Sequence, residues 1–396
     1  MSLPLEGVRV VEYAQYVAGP LCGVLLADLG ADVVKVEPPG GDGYRHVMPV
    51  APGVGRYFIP LNRGKRSVVV DLKTADGLET SARLRRSAEI VLHNFPRDRA
   101  ARFGVAWEDV HAAQPALVVG RVSSFGASGP LADAPAYDLV AQARAGLLTA
   151  HASPGDDVPV RAGGIPIADL TAGFLLATGV LAALVRARDT GQGDLVDVSL
   201  LAAAMAVQLQ DLVWLANEAG AASASPTADR AHLAARAAEI AGGLAMNPYY
   251  RCFEASDGFV AVACLNLVQR LAFLELFGLE DATVDAPDLV PDDSGALALK
   301  QELTAAVAGA FAERTVAEWI ALLEPAGVPC GPVQQREAIA SDTQVVAEGL
   351  VGRVSQPGIG EIDLLAPFVR VGSESRAAAA APVLGADTES VLAELA

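Results

Sequence analysis

The chain has 396 residues, of which 52% are apolar and 19% charged, which describes a folded globular protein with room for two domains. A net charge of −18 excludes nucleic acid as a general partner, because phosphate binding needs a basic surface. The four cysteines, Cys22, Cys252, Cys264 and Cys330, are far apart and form no CxxC pair, so neither a zinc site nor a disulfide framework is indicated, and a reducing cytoplasm fits.

In chain order, the opening MSLPLEGVRVVEYA has no basic leader followed by an apolar core, so no secretory signal is expected. Val8–Val11 reads as a buried strand, Leu21–Leu29 as a helix with Pro20 at its first position and Gly30 just beyond, and Asp32–Glu37 as the next strand. That order is a parallel crossover unit and predicts a doubly wound α/β start. Ser67–Leu72, Glu89–Asn94 and Leu117–Ser123 continue the strands, with a helix over Ala75–Arg86. The turn after the first strand reads AQYVAGPLCG, without the G-x-G-x-x-G fingerprint, and GKRS at Gly64–Ser67 lacks the first glycine of a P-loop. Nicotinamide and nucleoside-triphosphate chemistry are therefore not indicated.

Next comes RAGGIPIADLTAGFLLATGVLAALVRAR, Arg161–Arg188, where Gly163 and Gly164 precede Asp169 and sixteen uncharged residues follow from Leu170 to Val185. This predicts a buried helix, shorter than the roughly 20 residues that cross a bilayer, with Asp169 at its entrance. An Asp there can be an N-cap kept ionised by the helix dipole, and it is also a candidate nucleophile. After the TGQG turn, Ser199–Asn217 reads as a helix and Ala219–Asn247 as an alanine-rich linker. From Asn247 to Pro332 the texture is that of a smaller α+β domain, with an SDG turn at Ser256–Gly258, the strand FVAVAC and helices at Leu267–Phe277 and Val316–Leu323. Val383–Leu395 reads as a capped helix.

Eight blocks in order resemble the family III CoA-transferases, a group that also contains alpha-methylacyl-CoA racemases. They are PLEGVRVVEYAQYVAGPLCGVLLADLGADVVKVEPPGGDGYR, NRGKRSVVVDLK, HNF, VSSFGASGP, AYDLVAQARAG, ADLTAG, RARDTGQGDLVDVSLLAA and AGVPCGPV, spanning Leu3 to about residue 335. The resemblance implies a Rossmann-like large domain built from both ends of the chain, over 1–220 and 333–396. It also implies a linker and small α+β domain over 221–332 and an intertwined homodimer.

It further implies transfer of CoA from an acyl-CoA to a carboxylic acid through an anhydride and a thioester on Asp169, with CoA as substrate and product, no tightly bound cofactor and no metal. Tyr137, Asp138, Val17, Gly163 and Gly164 are implied around the substrate, and Ala18, Lys73, Asn94, Phe95 and Arg102 around CoA. Two positions depart from family members: Pro38 stands for an arginine and His93 for a glutamate. The racemases carry a His-Asp pair where this chain has Tyr137-Asp138, and a phenol with a pKa of about 10 is a poor base, which favours transfer over racemisation or an inactive CoA-binding relative.

Overall fold

The computed structural model describes residues 3–153, 158–213, 227–285, 294–372 and 377–395. These fall into two compact units, one drawn from 1–148, 161–223 and 340–396 and the other from 149–160 and 224–339.

The first unit is built on a six-stranded parallel sheet of β1 (Arg9–Glu12), β2 (Asp32–Glu37), β3 (Arg66–Val69), β4 (Ile90–His93), β5 (Val118–Ser123) and β6 (Leu195–Ser199). Their order across the sheet is β3-β2-β1-β4-β5-β6. Short β-branched runs form these strands because both faces are covered. Val10, Val33, Ile90 and Val118 enter one core, while their neighbours Val11, Val34, Val91 and Val119 enter the other.

Helix α1 (Ala18–Asp28) starts earlier than the sequence indicated and places Pro20 third. Proline is accepted there because first-turn N–H groups have no intrahelical partner. Helix α2 (Ala75–Arg86) has the expected bounds, with Thr74 accepting from Gly77 N at its start.

Beyond it lie the short α3 (Asp138–Arg144) and the central α4 (Ile167–Thr190). At 24 residues α4 is long and apolar enough by composition to pass for a membrane span. Here Ala172, Leu176, Val180 and Leu184 bury one face in the core that α1 shares. A Cβ on Gly173 would stand 2.8 Å from Ala18 O, so glycine lets α1 and α4 meet closely. Gly191, at φ 72, ends α4 in a left-handed turn.

The helix expected over Ser199–Asn217 is α5 (Leu200–Ala206) only. Turns follow, with Gln208 donating to the carbonyls of Ala145 and Ala204, and residues 214–217 lie outside the described set.

In the second unit, Arg230–Met246 is a helix where a linker was expected, started by Asp229 accepting from His232 N at 2.8 Å. The first part of that expectation, up to residue 226, falls outside the described residues. Leu233 and Ala237 of this helix pack on Ala152, so the stretch before Arg161, expected within the large domain, clusters with this unit. A three-stranded antiparallel sheet, Tyr250–Ala255, Gly258–Ala263 and Cys330–Pro332, carries helices at Leu267–Phe277, Ser294–Phe311 and Val316–Leu323. Phe253, Phe273, Phe311 and Trp319 form its core.

The C-terminal stretch brings a hairpin of Val351–Gln356 and Gly360–Leu365 that the sequence did not announce, and the helix expected over Val383–Leu395 covers only Thr388–Ala393.

Candidate active site

The strand order reverses between β1 and β4, and in such sheets ligands bind outside the carboxyl ends of the strands at that point. The turns leaving these strands are fastened together: Gln15 N donates to Asn94 Oδ1 at 3.2 Å, and Asn94 Nδ2 donates to Gln15 O at 2.9 Å. Beneath them lies a buried set of three acids and three bases: Glu12, Glu37, Asp42, Lys35, Lys65 and Arg45.

Lys35 Nζ reaches Glu12 at 3.0 Å, Asp42 at 2.9 Å and the carbonyl of Ala14 at 2.8 Å. Burial works against its charge, but Asp42, Glu12 and Glu37 outweigh it and hold the ammonium charged. Lys65, bound to Glu12 at 2.8 Å, is instead drawn down to about 8 by burial, which Glu12 offsets only in part. Arg45 grips Glu37 with two bonds of 2.7 Å and lies over the Phe58 ring at 3.8 Å.

Asp169 sits in the first turn of α4, whose cap position is Pro166. The expectation of an N-cap is therefore corrected, because Pro166 moves the helix start three residues back. Capping is done from α3: Asp138 Oδ1 accepts from Ala168 N at 2.9 Å and Asp169 N at 3.2 Å, while its Oδ2 accepts from Gln142 at 2.6 Å.

Asp138 is 5% exposed and spent on this work, so it positions Asp169 rather than lining a pocket. The Asp169 carboxyl, half-buried and without a hydrogen bond among the described residues, is pushed up to about 7 by burial first and by Asp138 second, with Arg161 opposing. The expected ionisation by the helix dipole is outweighed by these two effects.

Four tyrosines meet on the same rim. Tyr16 packs edge-on to Tyr44 at 5.5 Å and to Tyr137 at 5.9 Å, and Tyr44 lies 6.1 Å from Tyr57. The Tyr44 phenol is raised by burial and then by the charge of Asp169, so it stays a donor. Tyr137 is 69% exposed at the head of α3. Val17 is 3% exposed and packs in the core, leaving its neighbour Tyr16 on the rim. Gly163 and Gly164, at φ 58 and 69, form the exposed turn that delivers the chain to α4.

Among the residues expected around CoA, Ala18 opens α1 and is buried, and Lys73 and Arg102 are exposed with no ion pair among the described residues. The Asn94 side chain is committed to Gln15. Phe95 is half-buried between Tyr13 and Phe103. Pro38 is exposed just past β2. His93 is buried at 2% exposure, and burial together with Arg121 pushes it down to about 4, so it is a neutral structural ring. No group of three or more His, Cys, Asp or Glu side chains suited to a metal is gathered among the described residues.

The profile of CoA-transferase family III matches residues 5–388. The chain belongs to that family. A probable fatty acyl-CoA transferase of Mycobacterium tuberculosis is 35% identical over 337 residues, 82% of this chain and 81% of its own length. A succinate–glutarate CoA-transferase of Agrobacterium fabrum is 32% identical over 404 residues, covering 99% and 96% of the two chains. The crystal structure of a CaiB/BaiF family protein from Brucella suis matches with a TM-score of 0.79 and 28% identity across 100% of both chains. This family III CoA-transferase is thus an enzyme whose mixed α/β fold, with its parallel central sheet, is shared with a solved relative. Tyr16, Tyr44 and Tyr57 on the candidate rim were not singled out by the sequence, because nothing local marks residues that only the strand order gathers.

Proposed function

We propose that this enzyme moves CoA from an acyl-CoA donor to a carboxylic acid, with Asp169 as the nucleophile. The observation that carries the reading is the Asp169 carboxylate itself, which Asp138 relieves of capping and whose affinity for a proton is raised. A carboxylate of raised basicity is the stronger nucleophile once ionised, and proximity to the thioester supplies the rest.

Attack of its oxygen on the thioester carbon forms a mixed anhydride and expels CoA thiolate. The thiolate attacks the aspartyl carbonyl, giving an aspartyl-CoA thioester and the free donor acid. The acceptor carboxylate displaces thiolate from that thioester to form a second anhydride. Return of the thiolate to the acceptor carbonyl releases the new acyl-CoA and Asp169. No proton is gained or lost over the cycle.

Lys73 and Arg102 supply cations for the CoA phosphates, Phe95 an aromatic surface, and Ala18, Val17 and Gly163 backbone N–H groups near the reacting centre, while Gly164 N, bonded to Arg161 O at 3.0 Å, holds the turn. We assign a homodimer as the working form, supported by Phe174, Leu175 and Val185, which α4 leaves exposed at 47%, 39% and 63%, and by the family blocks along the chain. A stable, active monomer in solution scattering overturns that assignment. The reducing cytoplasm is the compartment in keeping with its unpaired cysteines.

The test is incubation with acyl-CoA donors, then hydroxylamine and peptide mass spectrometry. A hydroxamate at Asp169 supports the mechanism, and label on another peptide moves the nucleophile elsewhere.

A further inference from the structure

Tyr16 holds a backbone conformation that a bulky residue seldom adopts, at φ 71 in the left-handed region. Glycine would take that turn without strain, so a tyrosine there is maintained by what surrounds it. Buried and half-buried side chains fix the turn. Lys35 holds the carbonyl of Ala14, Asn94 brackets Gln15, and Asp42 Oδ1 accepts from Tyr16 N at 3.3 Å and from Tyr44 N at 2.9 Å.

Asp42 is fully buried and is itself held by Lys35. The ring rests over Gly43, where a Cβ would come within 3.0 Å of the phenol oxygen. It is 38% exposed, standing as a wall between Tyr44 and Tyr137 rather than as core. Burial and its neighbours Tyr137 and Asp42 keep its hydroxyl protonated.

We infer that Tyr16 determines which acid this enzyme accepts: its ring limits the length of the chain that fits beside Asp169, and its hydroxyl donates to the acceptor carboxylate. The acceptor is then a short, compact carboxylic acid. The inference rests on the transfer reading above.

It is tested with deuterated acetate, butyrate, hexanoate and octanoate as acceptors, the label distinguishing transfer to acetate from unreacted acetyl-CoA, using whichever of acetyl-CoA and succinyl-CoA the unaltered enzyme turns over faster. Tyr16→Gly relieves the strained turn and removes the wall, and should raise the octanoate-to-acetate ratio of kcat/KM by about tenfold or more through KM, in line with pocket discrimination of a few methylenes. Gly43→Ala, which displaces the ring without altering it, should move the ratio in the same direction. Tyr16→Phe should leave the ratio unchanged and raise KM for every acid.

An unchanged ratio in both Tyr16→Gly and Gly43→Ala, with turnover intact, overturns the inference and leaves CoA transfer standing. Absence of transfer by the unaltered enzyme to any acid overturns both.

Discussion

Replacing Asp169 by Asn removes a titrating group while keeping its shape. In the folded chain this carboxyl is raised from 3.8 to about 7, first by burial, then by Asp138, against Arg161. A raised carboxyl pKa means that the folded state holds the proton more tightly than the unfolded chain. That stability is full below 3.8 and is lost as pH rises through about 7.

At about 1.4 kcal/mol per unit the whole change is about 4 kcal/mol, and water at the half-buried oxygens reduces it to about 2 kcal/mol. Roughly half of it, about 1 kcal/mol, falls between about pH 5.5 and about pH 8.5. Asn does not titrate, so relative to the parent the variant should gain that amount across the window, about 1 to 2 °C in Tm. It should also transfer no CoA. Paired thermal melts and a transfer assay at both pH values read the two effects. If the variant is instead less stable than the parent by about 0.5 to 2 kcal/mol at both, as a lost cap would be, or retains turnover, the reasoning fails.

Other outcomes follow from the same geometry. For the parent, kcat/KM should rise with pH through about 7, because the ionised Asp169 attacks. Asp138→Asn, which keeps the Oδ1 acceptor and removes the neighbouring charge, should move that limb to lower pH, and an unmoved limb would show that Asp138 does not act on Asp169. Arg45→Met strands the buried Glu37 and should cost about 3 to 5 kcal/mol in urea unfolding, whereas a loss below about 1 kcal/mol would contradict the network. With a 2-methylacyl-CoA in deuterated water and no acceptor, the α-hydrogen should not exchange. Fast exchange that survives Tyr137→Phe would favour racemisation, and weak exchange gained by Tyr137→His would place an imidazole base at the α-carbon.

The doubly wound frame was legible because its signals are local. Val-rich strands, Gly30 after α1 and the TGQG turn after α4 each announce themselves within a few residues. Asp169 stood out for the same reason, yet its role did not, since the residue that caps α4 comes from α3, about 30 positions earlier in the chain. The tyrosine rim draws on positions 16, 44, 57 and 137, which the strand order alone brings together. The helix Arg230–Met246 was passed over because alanine favours helices without giving the apolar contrast by which a helix is recognised.

The edge of the sheet at β3 has a consequence for how the chain is made. Ser67 N and Val69 N bond to Asp387 Oδ2 at 2.8 Å and to Thr388 Oγ1 at 3.1 Å, residues 320 and 319 positions downstream. Arg9 and Arg66 are pinned in the same place by Glu394. An edge strand with open N–H groups is a template for pairing with other chains. During synthesis that template emerges first and its cover last, so nascent chains spend most of translation with β3 unguarded. A nonsense codon between Ser199 and Asp387 would release molecules whose sheet is complete in strands but adhesive along one side, and these should accumulate as aggregates rather than as soluble, inactive enzyme.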